Sequence, residues 1–405
     1  MATWSEGRLA YTAKMMPEIY TPDLDTMLDK TREIARDVVA AQAEQVDRDA
    51  AWPEQGIRTL QTEGLAGIVV PRQHGGRGHG LLALAQVCEI LGRECASTAI
   101  CFGMHCVGSS VISANATESQ KQNYLEPICA GRHITTLSLS EPGTGSHFYM
   151  PQARLEPSPP DAYTLHGTKT FVTNGGYADS YVVSAVTIRP DDPLGQFSCV
   201  VVPGEAEGLN WGSPWAGLGM RGNSSRTLQL EGVRISRSSL LGKEGDQIWY
   251  IFNVVCPYFL IAIAGTYLGI AGAALEEARQ HLRKRHHTHS GVTLAQTPVL
   301  QHRLGSLWGM LERTRSLVYR AAARFDAGDP DALTAVMASK AEVADCVVSM
   351  VNEVMTLTGG IAYRDGSRLH RYLRDARAAH LMSPTTDILR VWIGRALLGQ
   401  PLLAD

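Results

Sequence analysis

The sequence predicts an α+β protein with three successive parts: an N-terminal helical domain over residues 1–133, a middle small antiparallel β domain over 134–241, and a C-terminal four-helix bundle over 242–405. Apolar residues recur at helical spacing before residue 116, short β-rich runs follow residue 134, and a long apolar seam begins after residue 241. The chain of 405 residues is also longer than one hydrophobic core usually serves.

The first part is predicted to be helical from residue 23 to residue 115. Its apolar residues recur at near-helical spacing between charges: Leu24, Leu28, Ile34, Val38 and Val39. Loops are indicated by Trp52-Pro53 and by the glycine-rich stretch 71–80. Thr117 and Gln120 have the spacing of a capping box, which predicts a helix start. Residues 1–16 lack the apolar core of a signal peptide.

The second part consists of short β-rich runs separated by clusters of Gly, Pro, Asp and Ser, a texture typical of an antiparallel β domain. The predicted strands cover residues 138–140, 163–165, 169–173, 180–185, 197–202 and 227–233.

The third part is predicted to be a bundle of four helices. The first helix carries a seam suited to packing against its neighbours, made of Ile261, Ala264, Leu268, Ala271, Leu275, Ala278 and Leu282. The second is expected over 301–325 and the third over 331–357, where two glycines end it. The fourth is expected to begin at Ser383-Pro384, a pair typical of the N-cap and first helical positions.

Composition narrows the class of protein. A formal net charge of −3 and a hydrophobic content of 44% indicate an ordered globular protein and do not point to nucleic-acid binding. The eight cysteines include no CxxC pair, so we expect reduced, mostly buried thiols in the cytoplasm. Residues 247–275 carry no charge and are long enough to span a bilayer. Because they contain glycines and a proline and continue into a charged helical pattern, we expect a buried helix and no membrane span.

Two loops carry the strongest functional signal. Residues 136–146 combine a Pro-Gly turn with the hydroxyls of Ser138, Ser140, Thr144 and Ser146, which can approach a flat, electron-rich ligand together with backbone N–H groups. Residues 167–176 predict a short strand that ends in an Asn-Gly turn. Either loop alone would be an ordinary turn, so the interpretation depends on the pair.

The pair resembles the two flavin-binding signatures of the acyl-CoA dehydrogenase superfamily, and the resemblance covers almost the whole chain. It implies that FAD is the cofactor and that a neighbouring subunit's glycine turn contacts its adenine end. It also implies a homotetramer or homodimer, and an electron-transfer or flavin reductase partner. The residues of this chain that the resemblance assigns to FAD are Ser138, Ser140, Ser146, Phe171, Thr173, Arg285, Gln301, Gly359, Gly360 and Thr385.

The resemblance fails at the catalytic base. The family uses a glutamate to remove the α proton of a thioester while hydride passes to the flavin. The matching position just before the last helix is Ser383, and the alternative position on the first bundle helix is Phe259. The CoA-binding arginine of that helix falls at Leu260. The catalytic residue is therefore unknown from the sequence.

Histidines offer weaker candidates. His105 stands on a helix that borders the substrate pocket in this architecture, where it is either an acid/base or a satisfied buried histidine. The spacing of His286, His287 and His289 suggests a metal site, but basic neighbours favour a solvated loop, and we predict no metal.

Three functions stay open at this point. The first is a FAD-dependent oxidoreductase of the acyl-CoA dehydrogenase type, acting on a CoA or carrier-protein thioester with a non-standard base. The second is a flavin-dependent monooxygenase on the same fold, which has no thioester to deprotonate. The third is a flavin-binding partner subunit without chemistry of its own. Intact flavin signatures favour the first, and the missing glutamate and arginine count against it.

Overall fold

A computed structural model describes residues 22–189 and 192–403, so the predictions for residues 1–16 lie outside the described residues. The N-terminal part is helical, as predicted. Its helices are α1 (Pro22–Ile34), α2 (Ala40–Arg48), α3 (Glu54–Thr62), α4 (Leu81–Glu94), α5 (Ala96–Ala114), α6 (Glu118–Gln120) and α7 (Glu126–Cys129), with π-helical turns at Ala35–Val39 and Lys121–Leu125. The predicted capping box at α6 is confirmed, since Thr117 and Gln120 each bond the other's backbone N–H.

The middle part is one twisted sheet. Its strands are β1 (Thr135–Ser138), β2 (Arg154–Ser158), β3 (Ala162–Val172), β4 (Ser180–Arg189), β5 (Asp192–Pro203), β6 (Leu209–Trp211), β7 (Arg226–Ser236) and β8 (Leu240–Leu241). Their order is β6-β7-β3-β2-β4-β5-β8, with β1 beside β4. The two runs predicted at 163–165 and 169–173 form the single strand β3, which is interrupted by register shifts.

The prediction of a small antiparallel β domain is wrong at two pairings. β1 and β2 both run parallel to β4. Parallel neighbours need a long connection, and the segments between β1 and β4 include β2 and β3, which provide it. The remaining pairings are antiparallel, as predicted.

The C-terminal part is a helical bundle. Its helices are α8 (Gln247–Tyr250), α9 (Cys256–Lys284), α10 (Pro298–Asp326), α11 (Ala332–Thr358), α12 (Arg368–Arg377) and α13 (Thr386–Leu397), with a π-helical turn at Ile251–Val255. The predicted start of the last helix is wrong by two residues. The N-cap is Thr385, whose hydroxyl accepts the Ile388 N–H, and Ser383 lies outside the helix.

Helix α9 is the centre of the bundle. Its glycines let it approach α4 closely: a Cβ on Gly269 would lie 2.5 Å from the Glu89 carbonyl oxygen. Ala96–Ala114 and Gln247–Lys284 are long and apolar enough to cross a membrane, but 100% and 89% of their most apolar windows are buried within the protein. The expectation of a buried helix at 247–275 therefore agrees with the structure.

Helix α12, which the sequence did not predict, joins all three parts of the chain. The buried Asp375 carboxylate accepts the Met220 backbone N–H at 2.6 Å, at a loop residue with φ of 47°. Arg374 forms a two-pronged ion pair with Asp47 of α2 and donates to the Leu218 carbonyl at 3.0 Å. These contacts hold the loop before β7 between the N-terminal helices and the bundle.

Asp375 makes stability depend on pH in a defined direction. Burial raises the pKa of its carboxyl to about 6. The folded protein therefore binds this proton more tightly than the unfolded chain, and the contribution of Asp375 to stability rises as pH falls from about 6 towards 4. In Asp375→Asn this proton is absent while an acceptor oxygen for Met220 remains. As the pH falls from 7.5 to 5, we expect the free energy of unfolding of the wild type to increase by about 1 kcal/mol relative to that of the variant. Parallel pH profiles in denaturant titrations would contradict the assignment.

Candidate functional site

The two loops singled out in the sequence lie side by side. The Thr170 N–H donates to the Ser140 carbonyl at 2.8 Å, and the Thr136 hydroxyl donates to the Thr173 carbonyl at 2.9 Å. The end of β1 and the end of β3 thus lie next to each other. We call these two segments, Ser138–Glu141 and Lys169–Thr173, the rim.

A buried ion pair holds the rim together. Lys169 is fully buried and bonds Glu141, the Leu139 carbonyl at 3.2 Å and the Ser184 hydroxyl at 3.0 Å. Glu141 is 6% exposed and accepts backbone N–H groups from Gln152 and Ala153. Burial lowers the pKa of the Lys169 amine, and the Glu141 carboxylate opposes that shift. Both charges are therefore compensated, which a buried pair requires.

The rim offers what a flat, polar ring would need. The Ser138 hydroxyl is enclosed and has no hydrogen-bond partner among the described residues. Phe171 has a φ of 55°, which is strained for a bulky side chain, and its ring is 66% exposed. Trp215 stands edge-on to that ring with centroids 6.1 Å apart. The rim therefore carries an unpaired hydroxyl and an exposed aromatic ring, two kinds of group that an isoalloxazine ring would contact.

The Asn-Gly turn that follows β3 is present, as predicted, and is fixed to the N-terminal helices. Asn174 accepts the Trp52 indole N–H at 2.9 Å and donates to the Cys101 carbonyl at 2.9 Å. The Thr173 hydroxyl lies 3.3 Å from that of Ser225. The rim is thus braced from the helical domain as well as from the sheet.

The other residues assigned to the cofactor lie on different elements. Arg285 is exposed at the end of α9, and its carbonyl accepts the Leu294 N–H. Gln301 is exposed at the start of α10 and donates to the Ala295 carbonyl. Arg285 and Gln301 therefore stand on either side of the loop between α9 and α10. Gly359, with a φ of 71°, ends α11 on the surface.

Ser146 and Thr385 occupy different positions again. Ser146 is partly buried in the loop that follows β1. Thr385 caps α13, where its hydroxyl accepts a backbone N–H. Gly360, like Gly359, is exposed and has open space at its Cβ position.

Ser383 stands at the position of the missing base, and a lysine that the sequence analysis overlooked bonds the residues on both sides of it. Lys340 of α11 is fully buried, and its Nζ donates to the carbonyls of Met382 at 3.0 Å and Pro384 at 2.9 Å. The hydroxyl of Tyr267 on α9 lies 3.6 Å from the Met382 sulfur. We call Met382–Pro384 the Ser383 stretch. Burial lowers the pKa of Lys340 to about 7.

A sequence signal for Lys340 was available. It stands on the same helical stripe as Val336, Val343 and Val347, all of which are buried. A single lysine in such a stripe indicates either a snorkelling side chain or a buried amine with partners. The sequence alone does not distinguish the two.

The other positions considered for a base or a CoA-binding arginine offer no available group. Phe259 is partly buried on α9 and Leu260 is fully buried, so neither position supplies a charge. His105 is 1% exposed, its Nε2 lies 2.9 Å from the Ala66 carbonyl, and its Nδ1 accepts the Thr135 N–H. Burial lowers the pKa of His105 to about 4, so its ring is neutral at pH 7. The Nδ1 contact braces β1 against α5, and the Nε2 contact joins α5 to the segment that follows α3.

The remaining predictions concern cysteines and metal. All eight cysteines are free, seven are buried and Cys129 is partly exposed, which confirms the expectation of reduced, mostly buried thiols. The loop with His286, His287 and His289 is exposed. Within residues 22–189 and 192–403, no group of three or more His, Cys, Asp or Glu side chains could hold a metal ion.

The ion pair of the rim can be tested by a double-mutant cycle. Glu141→Gln leaves the Lys169 ammonium buried without a counter-charge, so we expect the free energy of unfolding to fall by about 3–5 kcal/mol. Adding Lys169→Met removes that charge and should recover part of the loss. Denaturant titration measures the free energy of unfolding of the wild type, the two single variants and the double variant. Additive losses in the double variant would show that the two charges do not interact.

Comparisons with known proteins agree with this geometry. The family models for the acyl-CoA dehydrogenase N-terminal, middle and C-terminal domains match residues 21–132, 136–233 and 260–398. An acyl-CoA dehydrogenase of Bacillus subtilis strain 168 is 31% identical over 375 residues, which cover 92% of this chain and 97% of the relative.

Solved structures show the same fold. A chain from a study of the electron transferring flavoprotein of Acidaminococcus fermentans has a TM-score of 0.88 at 28% identity and covers 94% of this chain and 98% of its own. The FAD complex of PigA has a TM-score of 0.84 at 23% identity, with 94% and 98% covered. The predicted three-part α+β fold is confirmed. The chain belongs to the acyl-CoA dehydrogenase family and is a flavoprotein oxidoreductase of that type.

Proposed function

We propose that the protein binds FAD and dehydrogenates an acyl thioester, carried by CoA or a carrier protein, with a base other than the usual glutamate. The observation that carries this proposal is the rim, which holds both the unpartnered Ser138 hydroxyl and the exposed side chain of Phe171. FAD, when bound, supplies the acceptor for the hydride that leaves the substrate. The chain's own contribution is to bind and orient both molecules between the rim and the bundle.

The role of each rim residue follows from its surroundings. Ser138 would donate to or accept from the flavin ring, since no described residue satisfies its hydroxyl. Phe171 would cover one face of the ring and exclude water from it. Thr173 and Ser140 would add polar contacts at the ring's edge. The Glu141–Lys169 pair does not reach the ligand in this scheme and acts by holding these groups in place.

A second candidate is favoured by a specific observation: both usual base positions lack a carboxylate, because they hold Ser383 and Phe259. A flavin-dependent monooxygenase on this fold has no thioester to deprotonate and would lose nothing by that change. A non-catalytic, flavin-binding subunit is a third candidate on the same ground. The two flavin-binding signatures of the sequence, Ser140-Glu-Pro and Thr173-Asn-Gly, are intact, and this favours the dehydrogenase.

We also propose a cytoplasmic location and a redox partner for the protein. The free, mostly buried cysteines suit a reducing cytoplasm. A flavoprotein that accepts hydride must pass the electrons on, so an electron-transferring protein is the partner expected of a dehydrogenase. A flavin reductase would take that place for a monooxygenase.

The turn after α11 supports a proposal on assembly. Gly359 and Gly360 are exposed, and the neighbouring Ile361 and Tyr363 side chains are 56% and 86% exposed. Apolar groups at this level of exposure suit an interface between subunits. We propose a homotetramer, or at least a homodimer, in which this turn reaches the neighbour's FAD. A monomer that retains FAD in sedimentation velocity at micromolar concentration would contradict this assembly.

Binding of FAD is predicted to depend on Arg285. The purified protein should be yellow, and Arg285→Ala should weaken FAD binding by about 1–3 kcal/mol if the guanidinium contacts the pyrophosphate. Arg283→Ala is the matched control, since Arg283 is an exposed arginine two positions earlier. Isothermal titration of the apoprotein with FAD measures both. Equal losses of FAD affinity in the two variants would indicate an effect of net charge and no specific contact by Arg285. A purified protein that binds no FAD would contradict the proposed function.

The choice between dehydrogenase and monooxygenase can be tested by restoring the glutamate. Ser383→Glu returns a carboxylate to the family's base position, and Pro384→Gly frees the backbone that proline restricts. Burial should raise the pKa of the new carboxyl, which suits proton abstraction. We expect the double variant to oxidise acyl-CoA faster than the wild type, as measured by anaerobic bleaching of the flavin.

The outcome of that experiment separates the candidates only if the variant folds and binds FAD, which its absorbance and melting temperature report. A folded, FAD-loaded variant that no short, medium or long acyl-CoA reduces would contradict the dehydrogenase proposal. The single variant Ser383→Glu is the control for the backbone effect of Pro384.

A further inference from the structure

Trp52 is a buried residue of the N-terminal part that contacts the turn following β3. It lies in the segment between α2 and α3 and is 7% exposed. Its indole N–H donates to the Asn174 side-chain oxygen at 2.9 Å. Its ring stacks on that of Tyr177, with the centroids 4.7 Å apart and the planes 4° apart. Trp52 therefore contacts the turn twice, once through a hydrogen bond and once through stacking.

The hydrogen bond from Trp52 determines how the Asn174 amide is oriented. An indole N–H can only donate and a backbone carbonyl can only accept. The amide must therefore present its oxygen to Trp52 and its NH2 group to the Cys101 carbonyl, which lies 2.9 Å away. Because Asn174 is 1% exposed, loss of the Trp52 donor would leave a buried oxygen without a partner.

The backbone of this stretch needs such support. Phe171 and Asn174 have φ values of 55° and 60°, in the left-handed region that residues other than glycine seldom occupy. Asparagine tolerates this conformation, whereas a bulky aromatic residue is strained in it. Two left-handed residues so close together persist only where the surroundings hold them. The contacts of Asn174 with Trp52 and Cys101 supply part of that support.

Thr173 is the rim residue that adjoins this turn. Its carbonyl accepts the Thr136 hydroxyl at 2.9 Å, and its own hydroxyl lies 3.3 Å from that of Ser225. Since Thr173 is joined to Asn174 by a peptide bond, a reorientation of Asn174 also moves the polar groups of Thr173. These are groups proposed above to contact the edge of the flavin ring.

We propose that Trp52 is a positioning residue for the flavin: through Asn174 it holds Thr173 where a donor favours reduced FAD over oxidised FAD. Reduction adds electron density to the ring, so a hydrogen-bond donor at the ring's edge binds the reduced form more tightly. Trp52 thereby raises the midpoint potential of the flavin from outside the rim. The inference rests on the proposed function for the place of FAD beside Thr173, and it applies whichever reaction the protein catalyses.

The test measures the midpoint potential of the FAD-loaded protein. In Trp52→Phe the indole N–H is lost while an aromatic ring remains beside Tyr177. We expect the affinity for reduced FAD to fall about three- to tenfold more than the affinity for oxidised FAD, as a weakened hydrogen bond allows. For a two-electron couple this ratio corresponds to a potential lower by about 14–30 mV. Reductive titration against a redox dye measures the potential, and titration of the apoprotein with oxidised FAD measures its Kd.

Two further variants assign the effect to the hydrogen bond. Tyr177→Leu is the matched control, because it removes the stacking contact and leaves the hydrogen bond from Trp52 to Asn174. We expect it to keep the wild-type potential. Asn174→Gly accepts the left-handed backbone but removes the amide, so it should lower the potential as Trp52→Phe does. If Trp52 acts through Asn174, adding Trp52→Phe to Asn174→Gly causes no further decrease.

The outcomes that would overturn the inference are distinct. Equal losses of affinity for reduced and oxidised FAD in Trp52→Phe, and so an unchanged potential, would show that Trp52 is only structural. A decrease in Tyr177→Leu as large as that in Trp52→Phe would refute the role of the hydrogen bond. If Trp52→Phe does not fold or hold FAD, an unchanged potential in Asn174→Gly refutes the inference. A wild-type protein that binds no FAD would instead contradict the proposed function, on which the inference rests.

Discussion

The buried ion pair between Lys169 and Glu141 is the constraint on which the site depends. Taking two charges out of water costs several kcal/mol for each, so such a pair persists only when further hydrogen bonds satisfy both groups. Lys169 has two additional acceptors and Glu141 has backbone donors. Since one partner lies in the loop after β1 and the other on β3, this pair fixes the separation between them. Ser138 and Phe171 lie three and two residues from the pair along the chain, so the pair holds together the segments that carry them.

The groups proposed to bind a flavin and the groups proposed to act on a substrate belong to different parts of the chain. The rim lies on the middle sheet, whereas Phe259, Lys340 and the Ser383 stretch belong to the bundle. A change in the bundle can therefore alter proton transfer and substrate choice while the rim keeps its geometry. This separation explains how the chain combines near-complete flavin signatures with two base positions that lack a carboxylate.

Local signals predicted much of this fold, and non-local ones were missed. The capping box at Thr117 and the seam of α9 depend on residues a few positions apart, and both are present. The short strand β2, Arg154–Ser158, contains proline and no β-branched residue, and its pairing with β4 is set by the whole sheet. The sequence predicted Ser383 as the cap of the last helix, whereas the cap in the folded chain is Thr385. The partners of Lys340 lie more than forty residues away in the chain, beyond any local pattern.

Anaerobic titration of the wild-type, FAD-loaded protein with acyl thioesters tests the central claim most directly. The claim is that an intact rim still serves thioester dehydrogenation although the glutamate is absent. It predicts that at least one thioester bleaches the flavin absorbance, at a rate that saturates with thioester concentration. Absence of bleaching by every thioester, together with reductase-dependent oxygen consumption driven by NADH, would contradict it and favour the monooxygenase.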